Sequence, residues 1–569
     1  MEANKAPWLR FYGNVPAHLD YPDRTMYQLV EAVARKYPDS PAYSFMGRKT
    51  SFAQFLERIT QTASAFAAMG IGRGDRVTLA LPNIPQALWC FYGLNRLGAI
   101  PNMVHPLSAP SEIAFYLRAS ESRVIVAVDS FDERVREAME MLEKPVPRIL
   151  AHIADELAFP KNVAYKFSIR KKMPEIAYGP DIIDWHDFFA NNTQGRLDPD
   201  TGKREDVAAV LYSGGTTGTT KGILLSNGNF NATALQTAAA AAFPLGPGMK
   251  MLSVMPVFHG FGLGIGIHTA LIHGLECILL PQFSVKTYAK ILRTKKPDII
   301  PGVPTLFEAL LRAPGLEKTD LSFLQGVFSG GDSLSIELKR KVDAFLKAHG
   351  AKVQIREGYG TTECVTASCL TPRDTYREGS IGIPFPDTYY SICRVGTQEE
   401  ADPGEEGEIC LRGPSVMLGY MDNPEETAQT LRRHADGEIW LHTGDLGFMD
   451  EDGFVYFRQR IKRMIVSSGY NIYPSQLENI LDAHEKVLLS CVIGVPDAYK
   501  MQKVKAFVVP APGVEPTQEL RGELMDYCRK HIARYALPYD IEFRTELPKT
   551  LVGKVAYRIL EQEEAQKQG

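Results

Sequence analysis

Apolar positions along the chain alternate between two periods. "TMYQLVEAVARKY" places Met26, Leu29, Val30, Val33, Ala34 and Tyr37 on one helical face, and Thr25 with Gln28 forms a capping box at its start. Short β-rich runs then recur between helical segments: "RVTLAL" (76–81), "RVIVAV" (123–128), "VAAVLY" (207–212), "DIIPGVP" (298–304) and "GVFSGG" (326–331). Strands alternating with helices predict an α/β architecture with largely parallel sheets. Several of these runs end in glycine-rich turns, and ligands of open α/β sheets sit beyond the carboxyl ends of the strands. Beyond about residue 380 the pattern shortens. "GEIC", "GEIWLHTGDLG" and "DGFVYFRQR" read as a small barrel or hairpin set. A last unit alternates again, through "SQLENILDAH", "LLSCVIGV", "KVKAFVVP" and "RGELMDYCRKHI". The predicted division is a large domain over 1–459, a joint at 460–462 and a small domain over 463–569.

The most apolar long segment, Phe261–Leu280, contains glycines, two histidines and Glu276. Those residues disfavour a membrane span, so it reads as a buried helix feeding a short strand. The first residues have no apolar core and do not form a signal peptide. "KNVAYKFSIRKKM" (161–173) is basic and aromatic; a solvated face is preferred there over a weak peripheral membrane contact.

With 569 residues, several domains and ample core are expected. Lys and Arg number 63 against 67 Asp and Glu, a balance that argues against a nucleic-acid partner. Eight cysteines are scattered without a C-x-x-C pair, which predicts reduced, buried thiols in a cytoplasmic protein rather than a zinc site.

Candidate chemistry begins at "LYSGGTTGTTKG", Leu211–Gly222, directly after an apolar run. Glycines let backbone N–H groups converge on an anion, threonines add donors and Lys221 adds a compact charge. That composition points to a polyphosphate. Lys221 is followed by Gly222 and separated from Gly218 by Thr219 and Thr220, which is not the P-loop spacing, so a P-loop phosphotransferase is disfavoured. "EGYGTTE" follows at 357–363, "HTGD" at 442–445, "FVYFRQRIKRMI" at 454–465 and "LPKTLVGKV" at 547–555.

In this order and spacing, the segments resemble the adenylate-forming superfamily, from about residue 25 to 560. Among its branches the chain looks most like medium- and long-chain fatty acid–CoA ligases. The resemblance implies a two-step reaction using ATP, Mg²⁺ and coenzyme A. A carboxylate attacks the α-phosphate of ATP, pyrophosphate leaves, and a thiol then displaces AMP from the acyl-adenylate. It assigns Thr216, Thr217, Gly218, Thr219, Thr220 and Lys221 to the β- and γ-phosphates. Gly358, Tyr359, Gly360 and Thr361 go to the nucleotide, with Tyr359 stacked on adenine. Thr362 and Glu363 go to phosphate and magnesium, with Thr217 as a second magnesium contact. Asp445 and Arg460 match ribose contacts, a carboxylate being able to accept from two hydroxyls. Lys554 matches the lysine that bridges substrate carboxylate and α-phosphate, which requires the small domain to close on the large one. Lys462 falls at the hinge and Gly469 in the segment used for the thiol step. Gln459 and Arg463 depart from the usual hinge pattern.

The acid is read from the small residues near its expected pocket. His259 matches the position beside the carboxylate, with a structural histidine as its competitor. Gly302, Gly330, Gly331 and Gly360 predict an open, apolar pocket. Trp8, Trp89, Trp185 and Trp440 all lie elsewhere in the sequence, so no tryptophan is expected to block it. At about 0.8 kcal/mol per buried methylene, such a channel rewards a medium- or long-chain fatty acid. The alternatives are an aryl acid, or loading of an acyl carrier protein. A non-catalytic nucleotide-binding module is disfavoured because Lys221, Glu363, Asp445 and Lys554 are all present. A homodimer stays open.

Overall fold

The computed structural model describes residues 6–170, 176–190, 195–212, 220–467, 470–497, 499–550 and 554–568. The helix predicted at the N-terminal end spans Met26–Lys36. Thr25 and Gln28 cap it reciprocally, and Met26, Val30 and Ala34 are buried. The predicted strands form at Arg76–Ala80, Val124–Val128, Val207–Tyr212, Ile299–Gly302 and Gly326–Ser329.

They belong to two large sheets. One has nine strands and runs through Ile355–Tyr359, Gly326–Ser329, Ile299–Gly302, Lys250–Ser253, Glu276–Leu279 and Pro41–Phe45, with neighbours in parallel and antiparallel strands at both edges. The other has eight strands; Arg76–Ala80 pairs in parallel with Ile100–Met103 and Val124–Val128. Helices such as Phe52–Ala68 and Pro85–Leu97 bury their apolar faces in a core shared by both sheets. Beyond residue 380 the strands Tyr389–Cys393, Gly407–Arg412, Leu431–Arg433, Ile439–Met449 and Val455–Arg460 form a five-stranded sheet of antiparallel hairpins.

The apolar segment from Phe261 is a buried π-helical stretch, Phe261–Thr269, that leads through a short helix to the strand Glu276–Leu279. Its histidines are structural. His268 bonds the Tyr92 hydroxyl at 3.1 Å and Asn231 at 2.8 Å, and His273 bonds the Thr269 carbonyl. Among the described residues no helix is long and apolar enough to cross a membrane.

A short turn, Ile461–Arg463, separates the last strand of the antiparallel sheet from the small domain. That domain carries its own five-stranded sheet and its own core of Ile465, Leu477, Val492, Val504 and Leu524. All eight cysteines are buried and unpaired. The helix Lys161–Arg170 forms in the basic stretch, where Lys161 Nζ donates to the Met46 carbonyl at 3.0 Å.

Candidate active site

The strand Ile355–Tyr359 ends at Tyr359, whose hydroxyl donates to Asp445 Oδ2 at 2.6 Å. Asp445 lies in the strand Ile439–Met449 and stands opposite Arg460 of the next strand. Arg460 Nε comes within 3.3 Å of Asp445 Oδ1, with the carboxylate 3% exposed and the guanidinium 48% exposed. Burial raises the Asp445 carboxyl, and Arg460 and the Tyr359 hydroxyl pull it back. Burial, followed by Asp445, pushes the Tyr359 phenol well up, so it stays a donor. Tyr359 is half-buried. Its ring lies 5.9 Å from that of Phe457, because the contacts come from strands distant in sequence.

The turn carrying Asp445 is held from behind. Glu408 accepts from the Gly444 amide at 2.9 Å and from His442 Nδ1 at 2.8 Å. His442 Nε2 meets His434 Nε2 at 2.9 Å. With the His442 Nδ1 proton on Glu408, its Nε2 accepts and His434 donates, so both tautomers are set by one chain of bonds.

Thr362 and Glu363 form a short helical turn. Glu363 Oε1 accepts from the Tyr420 hydroxyl at 2.9 Å, and its carbonyl accepts from the Met417 amide at 2.7 Å. Val365 follows at φ 66 and ψ −52, and the Thr366 amide donates back to the Cys364 carbonyl at 2.8 Å. This is a γ-turn with a β-branched residue at its centre, a strained arrangement that persists only where packing enforces it. The π-helical stretch supplies that packing. A Cβ on Gly260 would lie 1.6 Å from the Val365 carbonyl oxygen, and one on Gly264 would lie 2.9 Å from the Val365 side chain. Glycines in "HGFGLG" therefore answer to the turn after Glu363, a pairing with no signal in the sequence.

His259 precedes that stretch, and its Nδ1 accepts from the Phe261 amide at 3.1 Å. Burial and the nearby Lys554 charge push its pKa down to about 3, so the ring is neutral. Lys554 comes from the small domain. Its amide donates to Thr550 Oγ1 at 3.1 Å, and its carbonyl accepts from the Thr550 amide at 2.7 Å. Its Cε lies 3.8 Å from where a Cβ on Gly331 would stand, so the side chain crosses to the large domain. Burial lowers the ammonium's pKa, against the opposing charges of Asp332, Asp445 and Glu363.

Other expected residues divide by what the structure says of them. Thr216, Thr217, Gly218, Thr219 and Gly469 lie outside the described residues. Thr220 sits beside the Tyr116 hydroxyl. Lys221 pairs with Glu426, which lies 205 residues later and which no local pattern ties to it. Lys462 is exposed within the turn Ile461–Arg463. Arg463 belongs to the small domain, bonding Glu478 at 2.5 Å and lying 4.8 Å from the Tyr557 ring centre.

The glycines do not all mean open space. A Cβ on Gly360 would lie 2.4 Å from the Thr366 carbonyl oxygen, so that position is small because backbone abuts it. A side chain there would meet backbone rather than open space. A Cβ on Gly358 would meet the Cys369 carbonyl at 3.1 Å, and one on Gly330 the Gly358 carbonyl at 3.2 Å. Gly302 faces Leu306 and Phe307, while Gly331, at φ +81, faces Val303, Phe261 and Lys554. None of the four tryptophans belongs to the apolar cluster of Phe261, Val303 and Leu306.

Two family models match the chain: AMP-binding enzyme over residues 30–421, and the AMP-binding enzyme C-terminal domain over 476–554. A long-chain-fatty-acid–CoA ligase of Bacillus subtilis (strain 168) is 37% identical, over 100% of this chain and 99% of that protein. An anthranilate–CoA ligase, AuaEII, solved with anthranoyl-AMP, is 25% identical with a TM-score of 0.81, covering 97% of this chain and 98% of that one. ATP-bound MatB from Rhodopseudomonas palustris, at 25% identity and a TM-score of 0.79, covers 95% of this chain and 99% of its own.

Proposed function

The chain belongs to the AMP-binding enzyme family and is an AMP-forming acid–thiol ligase, and we propose that its acid is a medium- or long-chain fatty acid and its thiol coenzyme A. The observation that carries the reading is the reach of Lys554 from the small domain to Gly331, beside His259 and the Tyr359–Asp445–Arg460 cluster.

Adenine would lie against Tyr359, and the ribose hydroxyls would bond Asp445, with Arg460 beside them. Lys221 and Thr220 would face the β- and γ-phosphates. Glu363 suits a hard divalent cation, because among the described residues only its Oε1 is engaged by a hydrogen bond. Bound there, Mg²⁺ would offset phosphate charge. Lys554 would then hold the substrate carboxylate and the α-phosphate together. A carboxylate oxygen attacks the α-phosphorus, the bond to the bridging oxygen breaks, and pyrophosphate leaves. Charge develops on the phosphoryl oxygens, where a fixed ammonium is worth most. The neutral His259 ring adds no charge that would hold the carboxylate away from phosphorus.

Support for a long tail is the apolar cluster of Phe261, Val303 and Leu306, which holds no tryptophan, and the fatty-acid relative at 37% identity. The aryl alternative is favoured by relatives and neighbours at lower identity, among them the anthranilate ligase. The turn Ile461–Arg463 is the proposed hinge, with Arg463 moving as part of the small domain. Buried, unpaired thiols suit a reducing compartment, so the cytoplasm is the proposed location.

Pyrophosphate release with ATP and Mg²⁺ tests the reading, across acetate, octanoate, palmitate and coumarate, with and without coenzyme A. Release should peak with octanoate or palmitate and turn over only with coenzyme A. A peak with coumarate would move the assignment to aryl acids. Turnover independent of coenzyme A would point to a carrier protein.

A further inference from the structure

Lys221 leads into the strand Gly222–Ser226, and its Nζ is paired with the Glu426 carboxylate. Tyr420 lies between this pair and the metal corner. Its ring centre is 5.0 Å from Lys221 Nζ, and its hydroxyl donates to Glu363. The arrangement is built by backbone. Gly419 and Tyr420 pair with Leu224 and Ile223, and the Met421 amide donates to the Gly222 carbonyl at 2.7 Å.

Glu426 is equally fixed. Its amide donates to the capping Asn423 side chain at 3.1 Å, and the next residue, Thr427, accepts from the Tyr420 amide at 2.9 Å. The pair stays at the edge of water, with Lys221 24% and Glu426 33% exposed. A carboxylate held at a set place beside an ammonium acts as an intramolecular competitor for any anion that uses the same ammonium. Its own charge also opposes a polyanion nearby.

We propose that Glu426 is a release residue: it competes with the polyphosphate for Lys221 and so favours departure of pyrophosphate after the adenylate forms. The inference rests on the reading of Lys221 as a contact of the β- and γ-phosphates. No covalent step is involved. The ammonium exchanges one anionic partner for another, and Tyr420 remains on Glu363 throughout.

The test is pyrophosphate inhibition of adenylate formation in wild type, Glu426→Gln and Glu425→Gln, with the melting temperature of each. Glu425 is exposed, neighbours Glu426 and carries the same charge. Glu426→Gln should bind pyrophosphate about three- to fivefold more tightly, the factor that corresponds to one partly exposed ion pair, and its KM for ATP should fall in parallel. Glu425→Gln should leave both unchanged. A merely structural role for Glu426 would lower the melting temperature without tightening a product. Unchanged or weaker pyrophosphate inhibition in Glu426→Gln, or equal tightening in Glu425→Gln, overturns the proposal while wild-type activity still supports the ligase reading. Absence of pyrophosphate release from wild type with every acid overturns both. If Glu426→Gln does not fold, Glu426→Asp keeps the charge, withdraws it by one methylene and carries the same prediction in smaller measure.

Discussion

The Asp445 corner and the Lys554 end of the site are built in different ways. Asp445 is held by Tyr359 and Arg460 in front, and its turn is held by Glu408 and His442 behind, all within the large domain. Lys554 is positioned locally by Thr550 and then reaches across to Gly331. One end is built within a single domain, and the other is built from both. On the proposed reading, binding would be rigid while the chemistry would be gated by domain closure.

Removing Lys554 should separate the two ends most sharply. Lys554→Ala should slow adenylate formation by about two to three orders of magnitude, the scale for losing one preorganised charge-stabilising group. Its affinity for ATP, measured by calorimetry, should stay close to wild type. A variant that kept its adenylation rate would merge the two ends again. Asp445→Asn should do the opposite, raising the KM for ATP about tenfold or more through loss of charge-assisted bonds, with a smaller change in kcat.

Gly260→Ala tests whether the large-domain end is as rigid as described. Its Cβ would fall on the Val365 carbonyl, so the turn behind Glu363 must shift. A loss of about 1–3 kcal/mol in urea unfolding is expected, as for overpacked cores, together with weaker Mg²⁺ dependence. Full stability in this variant would mean that the pinch is soft.

The smallest expected effect lies far from both ends. His152 sits between Asp129 at 2.8 Å and Asp184 at 2.7 Å. Burial lowers its pKa, but the two carboxylates outweigh burial and raise it to about 9. A raised folded value means that this stabilisation is fully present below the unfolded histidine value of about 6.5 and fades as pH rises through about 9. Melting temperature should therefore fall over that window, and Asp184→Asn should flatten the slope. An identical slope in that variant would assign the pH dependence elsewhere.

The helix Met26–Lys36 and the parallel strands were legible from periodicity and capping, because local pattern decides them. Motif resemblance singled out Tyr359, Asp445, Arg460 and Lys554, and the fold brings them close together. What was not legible is tertiary. Thr366 stands against Gly360 six residues later, and Glu426 has no local tie to Lys221. Tyr420 gave no chemical cue beyond its side chain, since its meaning comes from Glu363. Small residues in particular signal closeness without naming the neighbour.

The pinch between Gly260 and Val365 also constrains redesign. The helix that would be cut back to admit a bulkier acid is the one that props the turn bearing Glu363. If the acid lies where proposed, its selectivity and the use of the nucleotide share a backbone contact. A library that randomised 260–264 would then select for both at once, whereas changes at Val303 or Leu306 would leave that contact in place.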